Sequence, residues 1–221
     1  MRIYLRTTPN TQPVPIDYQQ KLVGTIHKWI GSANNLHGDI SLYSFSWLQG
    51  SRFDRKNLSF NKGATFFISF YDESVIKDII RSILDDPQMF CGLEVTDVQV
   101  AKNPNLTNKT LFYCGSPIFI KRRLSDGHIK QYNFNDVESD RLMKETLLNK
   151  MRKAGLQEDE TLDIKFDTSY QGKRLKLIQY HGIGNKASMC PVIINGKTET
   201  KLFAWNVGIG SCTGIGFGAI Y

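Results

Sequence analysis

Cysteine is sparse in this chain, and what there is forms no pattern. Cys91, Cys114, Cys190 and Cys212 lie far apart, with no CxxC pair and no histidines at zinc-finger spacing. That argues against a metal ribbon or a disulfide framework, and the four thiols are expected to be free in a reducing compartment. No apolar run is long enough to span a bilayer, and the N-terminus reads as a strand rather than a signal peptide. A cytoplasmic protein with no membrane partner is therefore expected. Acidic residues nowhere cluster at the spacing of a two-metal site, so neither a metal nor another cofactor is expected. Positive charge, by contrast, is in excess. The net charge is +7 and the isoelectric point about 9.2, which points to a polyanionic partner without choosing between nucleic acid and an acidic membrane. Residues 116–221 carry +5 of that charge and residues 1–115 carry +2.

The first half alternates strands and helices. From Arg2 to Thr8, Ile3 and Leu5 alternate with Arg2, Tyr4 and Arg6, the pattern of a half-buried strand. After a loop with Pro9, Pro13 and Pro15, Asp17 with Gln20 three residues on reads as a capping box. The helix it opens has the apolar stripe Tyr18, Leu22, Val23, Ile26 and Ile30, and Gly31 is its natural stop. His27 sits beside that stripe. The polar loop 32–41 carries His37. Strands follow at 42–47 and 64–70, an amphipathic helix at 72–85 and a last strand at 94–100. The order βαββαβ is the ferredoxin-like arrangement, and Asn103-Pro104-Asn105 reads as a linker.

The second half repeats the pattern more loosely, without a sequence repeat. A strand at 116–123 ends in Lys121-Arg122-Arg123 and returns through the Asp126-Gly127 turn to a strand at 129–134. A helix spans 139–154, with Met143, Leu147, Met151 and Ala154 inward, and Gly155 ends it. Strands 162–167 and 174–180 are expected to form an added hairpin across Gln171-Gly172, with Arg174 and Lys176 on one face. A short strand at 191–194 and a helix at 199–207 follow. The predicted fold is thus α+β, two tandem ferredoxin-like βαββαβ domains over residues 1–108 and 109–221.

The last fourteen residues hold five glycines, interleaved with Ile209, Ile215 and Phe217. Glycine permits positive φ and close approach to the backbone, and a glycine-rich loop with free N–H groups suits a phosphate backbone. Tight turns with a short edge strand explain the same composition equally well. A dinucleotide-binding role fits poorly, because no helix follows to receive a pyrophosphate.

This ending, Gly208-Ile209-Gly210, five residues, Gly216-Phe217-Gly218, resembles the C-terminal signature of the CRISPR repeat-RNA endoribonucleases of the repeat-associated protein superfamily. The Met-Arg-Ile-Tyr-Leu-Arg opening strand, a histidine after the first helix and the strand opening at Ser116-Pro117-Ile118 match as well, so the resemblance covers essentially the whole chain. It implies RNA crossing the basic side of two ferredoxin-like domains, and metal-independent cutting of the transcribed repeat to release guide RNAs. The chemistry is compatible: RNA brings its own 2′-hydroxyl nucleophile, and two imidazoles can move the protons. By the resemblance His37 and His27 are the general acid and base, the assignment between them open. A lysine that many members place after the histidine is missing between Gly38 and Phe45, and Lys28 or Lys186 is a candidate to steady the phosphorane in its stead. RNA contacts are expected from Gly208, Gly210, Ser211, Thr213, Gly214 and Gly216, and from Lys121, Arg122, Arg123, Lys173, Arg174 and Lys176. An RNA-recognition consensus of stacked aromatics is not evident, so base recognition is unassigned. The partner is CRISPR repeat RNA, with other CRISPR effector subunits and a homodimer left open. The alternative is a non-catalytic repeat-RNA-binding subunit of an effector complex. Outside the resemblance, His37 reads as a surface residue and His27 as a packed helix residue, and His128 and His181 keep that structural reading.

Overall fold

The computed structural model describes residues 1–31, 40–54 (Asp54 by its backbone alone) and 56–221. In chain order the first unit contains β1 (Arg2–Thr7), β2 (Val14–Pro15), α1 (Gln19–Ile30), β3 (Tyr43–Phe45), β4 (Arg52–Asp54), β5 (Asn57–Ser59), β6 (Thr65–Phe70), α2 (Ile76–Asp85) and β7 (Val95–Ala101). Its main sheet has the antiparallel order β3-β6-β1-β7, the order of a ferredoxin-like unit in which the outer strands are second and fourth in sequence. A hairpin of β4 and β5, paired to β2, is added beside it. Strand alternation separates the two faces. Ile3 and Leu5 of β1 and Phe66, Ile68 and Phe70 of β6 join Leu22, Ile26 and Ile79 in one core under the helices. The opposite face carries the cross-strand pairs Arg2–Ser69 and Tyr4–Phe67.

The second unit contains β8 (Leu111–Phe112), β9 (Ile120–Arg123), β10 (Ile129–Tyr132), α3 (Glu138–Lys153), β11 (Asp163–Phe166), β12 (Arg174–Tyr180), β13 (Ile183–Met189), β14 (Val192–Asn195) and α4 (Thr198–Val207). Its sheet runs β11-β14-β8. Residues 219–221 extend it: Cys114 bridges Ile220, and Tyr113 and Tyr221 exchange N–H···O bonds of 2.9 Å. The order is then again that of a ferredoxin-like sheet, with the chain end as its fourth strand. Two hairpins, β9–β10 and β12–β13, are insertions into that plan. A second core gathers Phe112, Met143, Leu147, Ile164, Val192, Phe203 and Ile220. The chain is therefore α+β, two ferredoxin-like units in tandem, the second looser and ending in the glycine-rich stretch. No helix among the described residues is long and apolar enough to cross a membrane.

Local expectations need correction at several points. The residue at the N-cap of α1 is Tyr18, in helical conformation and without a side-chain cap, not Asp17. Tyr18 is drawn into the core, where its hydroxyl accepts the Leu48 N–H at 3.0 Å, and that starts the helix later. The first strand of the second sheet is β8, not the segment from Ser116. Strand 174–180 pairs with β13 rather than β11, across a two-residue turn in which His181 (φ 48°) and Gly182 (φ 76°) are both left-handed. Such a turn matches the twist of a hairpin, which leaves β11 free to pair with β14. Lys186 accordingly lies on strand β13. All four cysteines are free thiols, and burial pushes Cys114 up to about 12 and Cys190 up to about 11.

The two units are joined through Arg2. Its guanidinium lies between the rings of Phe67 and Trp205, 3.7 and 3.4 Å from their centroids. Nε donates to Ser69 Oγ, and Nη2 donates to the carbonyls of Trp205 and Ile220 at 2.9 and 2.7 Å. Burial lowers its pKa to about 10, since no carboxylate answers the charge among the described residues.

Candidate active site

The glycine-rich ending leaves α4 and runs back between the units before it becomes the edge strand. Gly208 (φ 74°) closes α4, and Gly210 and Cys212 are left-handed at φ 80° and 62° before a single 3-10 turn, Thr213–Ile215. A side chain at Gly210 would put its Cβ 2.5 Å from the Phe119 carbonyl oxygen, so this position needs glycine for both conformation and space. Gly208, Gly210, Gly214 and Gly216 are buried, Ser211 is half-buried and Thr213 buried. The stretch is packed into protein, and the carbonyls of residues 214–216 turn towards the first unit.

Three successive carbonyls meet donors from that unit. The Gly214 oxygen accepts the Tyr43 hydroxyl at 3.1 Å and lies 3.1 Å from His27 Nε2. The Ile215 oxygen accepts Gln19 Nε2 at 2.6 Å, and the Gly216 oxygen accepts Trp47 Nε1 at 2.9 Å. The Tyr43 hydroxyl is also 3.2 Å from His27 Nε2. A carbonyl only accepts, so the arrangement is satisfied with a proton on Nε2 donated to Gly214. Burial raises the Tyr43 phenol well above its ordinary range, which keeps its hydroxyl a neutral donor. The half-buried His27, on the last turns of α1, is thus brought against a residue 187 positions away in sequence.

On its other side the loop borders a cavity of about 320 Å³, lined in part by Ser41, Lys121, Lys150, Ser211, Cys212 and Thr213. Among the described residues the N–H groups of Gly210, Cys212 and Thr213 meet no protein acceptor. The adjacent open amides of Cys212 and Thr213, at the left-handed Cys212, form a concavity suited to anions, while the intervening Ser211 N–H donates to the Phe119 carbonyl at 2.7 Å. Lys150, buried in the wall, donates from Nζ to the Val207 and Gly208 carbonyls at 2.9 and 3.2 Å and to Thr213 Oγ1 at 3.1 Å.

The other residues singled out in the sequence are distributed unevenly. His37 lies outside the described residues. The Lys28 ammonium is taken by Asp86 (2.8 Å) and the Gln88 carbonyl (2.7 Å), on the side of α1 next to α2. Lys186 is exposed on β13, opposite Leu177. Of the basic strand residues, Lys121 reaches the cavity, and its N–H faces Ser211 Oγ at 3.4 Å. Arg122 is paired with Glu145 of α3 at 2.7 Å, and Arg123 is exposed. Lys173 precedes β12. Arg174 borders a separate pocket with Tyr113, Tyr170 and Tyr221, while Lys176 borders one with Ile16 and Trp47. Sequence reasoning missed Gln19, Tyr43, Trp47 and Lys150. Lys150 had a signal: it falls three residues after Leu147, at a position where the helical period calls for an apolar residue.

Two ferredoxin-like units, clasped by a glycine-rich ending that seats a helix histidine, define the class of protein. The C-terminal model of the CRISPR associated protein Cas6 family matches residues 101–221, more than half of the chain, and the chain belongs to that family. No curated protein matches it in sequence. Solved structures share the fold end to end. One is a CRISPR associated protein Cas6, 20% identical, with a TM-score of 0.84 over 100% of this chain and 98% of its own. Another is from a Cas6-related gene of Pyrococcus furiosus, 19% identical, with a TM-score of 0.86 over 100% and 97%. A third is an RAMP protein binding different RNA substrates, 18% identical, with a TM-score of 0.86 over 100% and 98%. At these identities the likeness shows the fold.

Proposed function

We propose that this chain is a metal-independent endoribonuclease that cuts CRISPR repeat RNA. The supporting observation is the meeting of His27 with Gly214: a titratable side chain and the glycine-rich ending, singled out separately in the sequence, are in hydrogen-bond contact. Family membership supports the substrate, and a structural neighbour named for binding RNA substrates supports the partner. In the reaction the 2′-oxygen bonds to the adjacent phosphorus while the bond from phosphorus to the 5′-oxygen breaks. One imidazole takes the 2′-hydroxyl proton and the other delivers a proton to the 5′-oxygen, leaving a 2′,3′-cyclic phosphate and a 5′-hydroxyl. His27 and His37 are the pair, the direction of each transfer left to experiment. The amides of Gly210, Cys212 and Thr213 and the Lys121 ammonium, on the cavity side of the loop, are the groups best disposed to hold a phosphate of the RNA backbone flanking the cut. We take residues 1–108 as the unit bearing the histidines and 109–221 as the unit bearing the basic strands.

His27→Ala tests the reading. Loss of an acid–base group costs about a hundred- to ten-thousand-fold in rate, so single-turnover cleavage of a repeat RNA falls by that much while affinity stays within a few-fold. Wild-type cleavage by both His27→Ala and His37→Ala rejects the pair. A second reading is favoured by Lys28, whose charge is spent on Asp86: a non-catalytic repeat-binding subunit. Tight repeat-RNA binding by wild-type protein with no cleavage selects it.

A further inference from the structure

The buried cation of α3 has no part in the reading so far. Lys150 is 3% exposed, and no carboxylate among the described residues pairs with it. All three of its N–H donors are used: two on the last carbonyls of α4, Val207 and Gly208, and one on the Thr213 hydroxyl. Carbonyls at a helix C-terminus attract a cation, both as unpaired acceptors and as the negative end of the helix dipole. The third bond serves no helix; it fixes the middle of the glycine-rich loop, one residue before the carbonyl that faces His27. Burial pulls the Lys150 pKa down to about 7, so the charge is costly where it sits. What the lysine supplies in return is geometry: three donors in fixed directions, on Val207, Gly208 and Thr213.

We propose that Lys150 is a positioning residue, whose ammonium sets the register of residues 207–213 and thereby presents the Gly214 carbonyl to His27. It does not touch the reacting atoms. The inference rests on the reading of His27 and the glycine-rich ending as the active site, and it also makes a claim that needs no RNA. The path runs from Lys150 Nζ through Thr213 Oγ1 and the Gly214 carbonyl to His27 Nε2.

The test uses the full chain in two arms. In the first, imidazole NMR resonances follow the His27 titration in wild type, Lys150→Met, Thr213→Val and the exposed control Lys153→Met. The expected result is a shift of the His27 midpoint by about 0.5 unit or more, a roughly threefold change in proton affinity, in Lys150→Met. Thr213→Val moves it in the same direction, the double variant adds little to Lys150→Met, and Lys153→Met matches wild type. In the second arm, repeat-RNA cleavage by Lys150→Met falls about tenfold or more in kcat with KM nearly unchanged, because a misplacement near 1 Å can cost up to a hundredfold. A wild-type His27 titration in both Lys150→Met and Thr213→Val overturns the proposal. Should Lys150→Met fail to fold, Thr213→Val decides alone, since it removes only the hydroxyl. If wild-type protein neither cuts nor binds repeat RNA, the functional reading fails while the NMR arm still judges the positioning role.

Discussion

Gly214→Ala asks whether the glycine-rich ending is packing, binding surface or both. Gly214 is not in the left-handed region, so the added methyl group costs nothing in backbone strain. Its Cβ would lie 2.3 Å from Ser41 Oγ, 2.9 Å from Ser41 Cβ and 3.0 Å from the Tyr43 hydroxyl. The Ser41 oxygen can swing away, but the Ser41 carbon and the tyrosine cannot, because Tyr43 is held by Gly214 itself and by His27. Relief therefore requires the loop to back off by about half an ångström. Overpacking on this scale costs about 1–3 kcal/mol. For a chain of this size each kcal/mol lowers the melting temperature by about 2–4 °C, so a fall of roughly 2–12 °C is expected. Ser41→Gly in the same chain should restore part of it. The binding role is read separately, by repeat-RNA affinity measured about 20 °C below the variant's own melting point, where unfolded protein is negligible. There Gly214→Ala should bind about tenfold more weakly, a loss of about 1.4 kcal/mol. A wild-type melting temperature refutes the packing argument, and unchanged affinity in the folded variant removes Gly214 from the binding site.

Two further expectations concern buried charge. Arg2→Ala strips donors from Ser69 Oγ and from the carbonyls of Trp205 and Ile220 and empties the space between Phe67 and Trp205; each buried acceptor left unpaired costs about 1–3 kcal/mol and each kcal/mol lowers the melting temperature by about 2–4 °C, so a fall of several degrees is expected, and an unaltered melting curve would contradict the rivet between units. Lys150 should make stability rise with pH, because its pKa of about 7 in the folded chain lies below the ordinary lysine value near 10.4, so that above pH 7 the unfolded chain binds the extra proton. Comparison of wild type with Lys150→Met between pH 7 and 8.5 should show the wild type gaining on the variant by up to about 1.4 kcal/mol per unit. Above pH 9 the buried thiols of Cys114 and Cys190, whose folded pKa values are raised, pull the opposite way. A flat difference across the window contradicts the assignment.

Much of the first unit was legible because its signals are local. The stripe of α1 with Gly31 behind it, the alternation of β1 and the run of β6 each follow from periodicity within a dozen residues. What escaped was two hairpins with unusual turn residues and the contacts between distant segments. The β12–β13 hairpin was hidden because its first turn position carries His181 where glycine, asparagine or aspartate is the usual signal, and no glycine stands in the sequence between β4 and β5. Arg2 alternates with Ile3 as a solvent-facing residue should, yet Trp205 and Ile220 cover it. The ending gave away its importance through composition, but not its orientation. The expectation was that amides at the glycines would face a ligand; open amides stand at Gly210, Cys212 and Thr213, while Gly214, Ile215 and Gly216 also offer carbonyls to the first unit. His27 was identifiable beside its stripe, whereas Tyr43 looked like any aromatic strand residue until the chain end arrived against it.

The central claim is that this chain cuts repeat RNA by proton transfer at the 2′-hydroxyl. The most direct measurement follows one repeat RNA, intact or with a single 2′-deoxy substitution just upstream of the cut, incubated with the protein in EDTA and analysed for its end groups. The account requires cleavage of the intact RNA to persist in chelator and to leave a 2′,3′-cyclic phosphate and a 5′-hydroxyl, with the deoxy substrate uncut. Chelator-sensitive cutting that leaves a 5′-phosphate and a 3′-hydroxyl, or cutting of the deoxy substrate at the same rate, would contradict it.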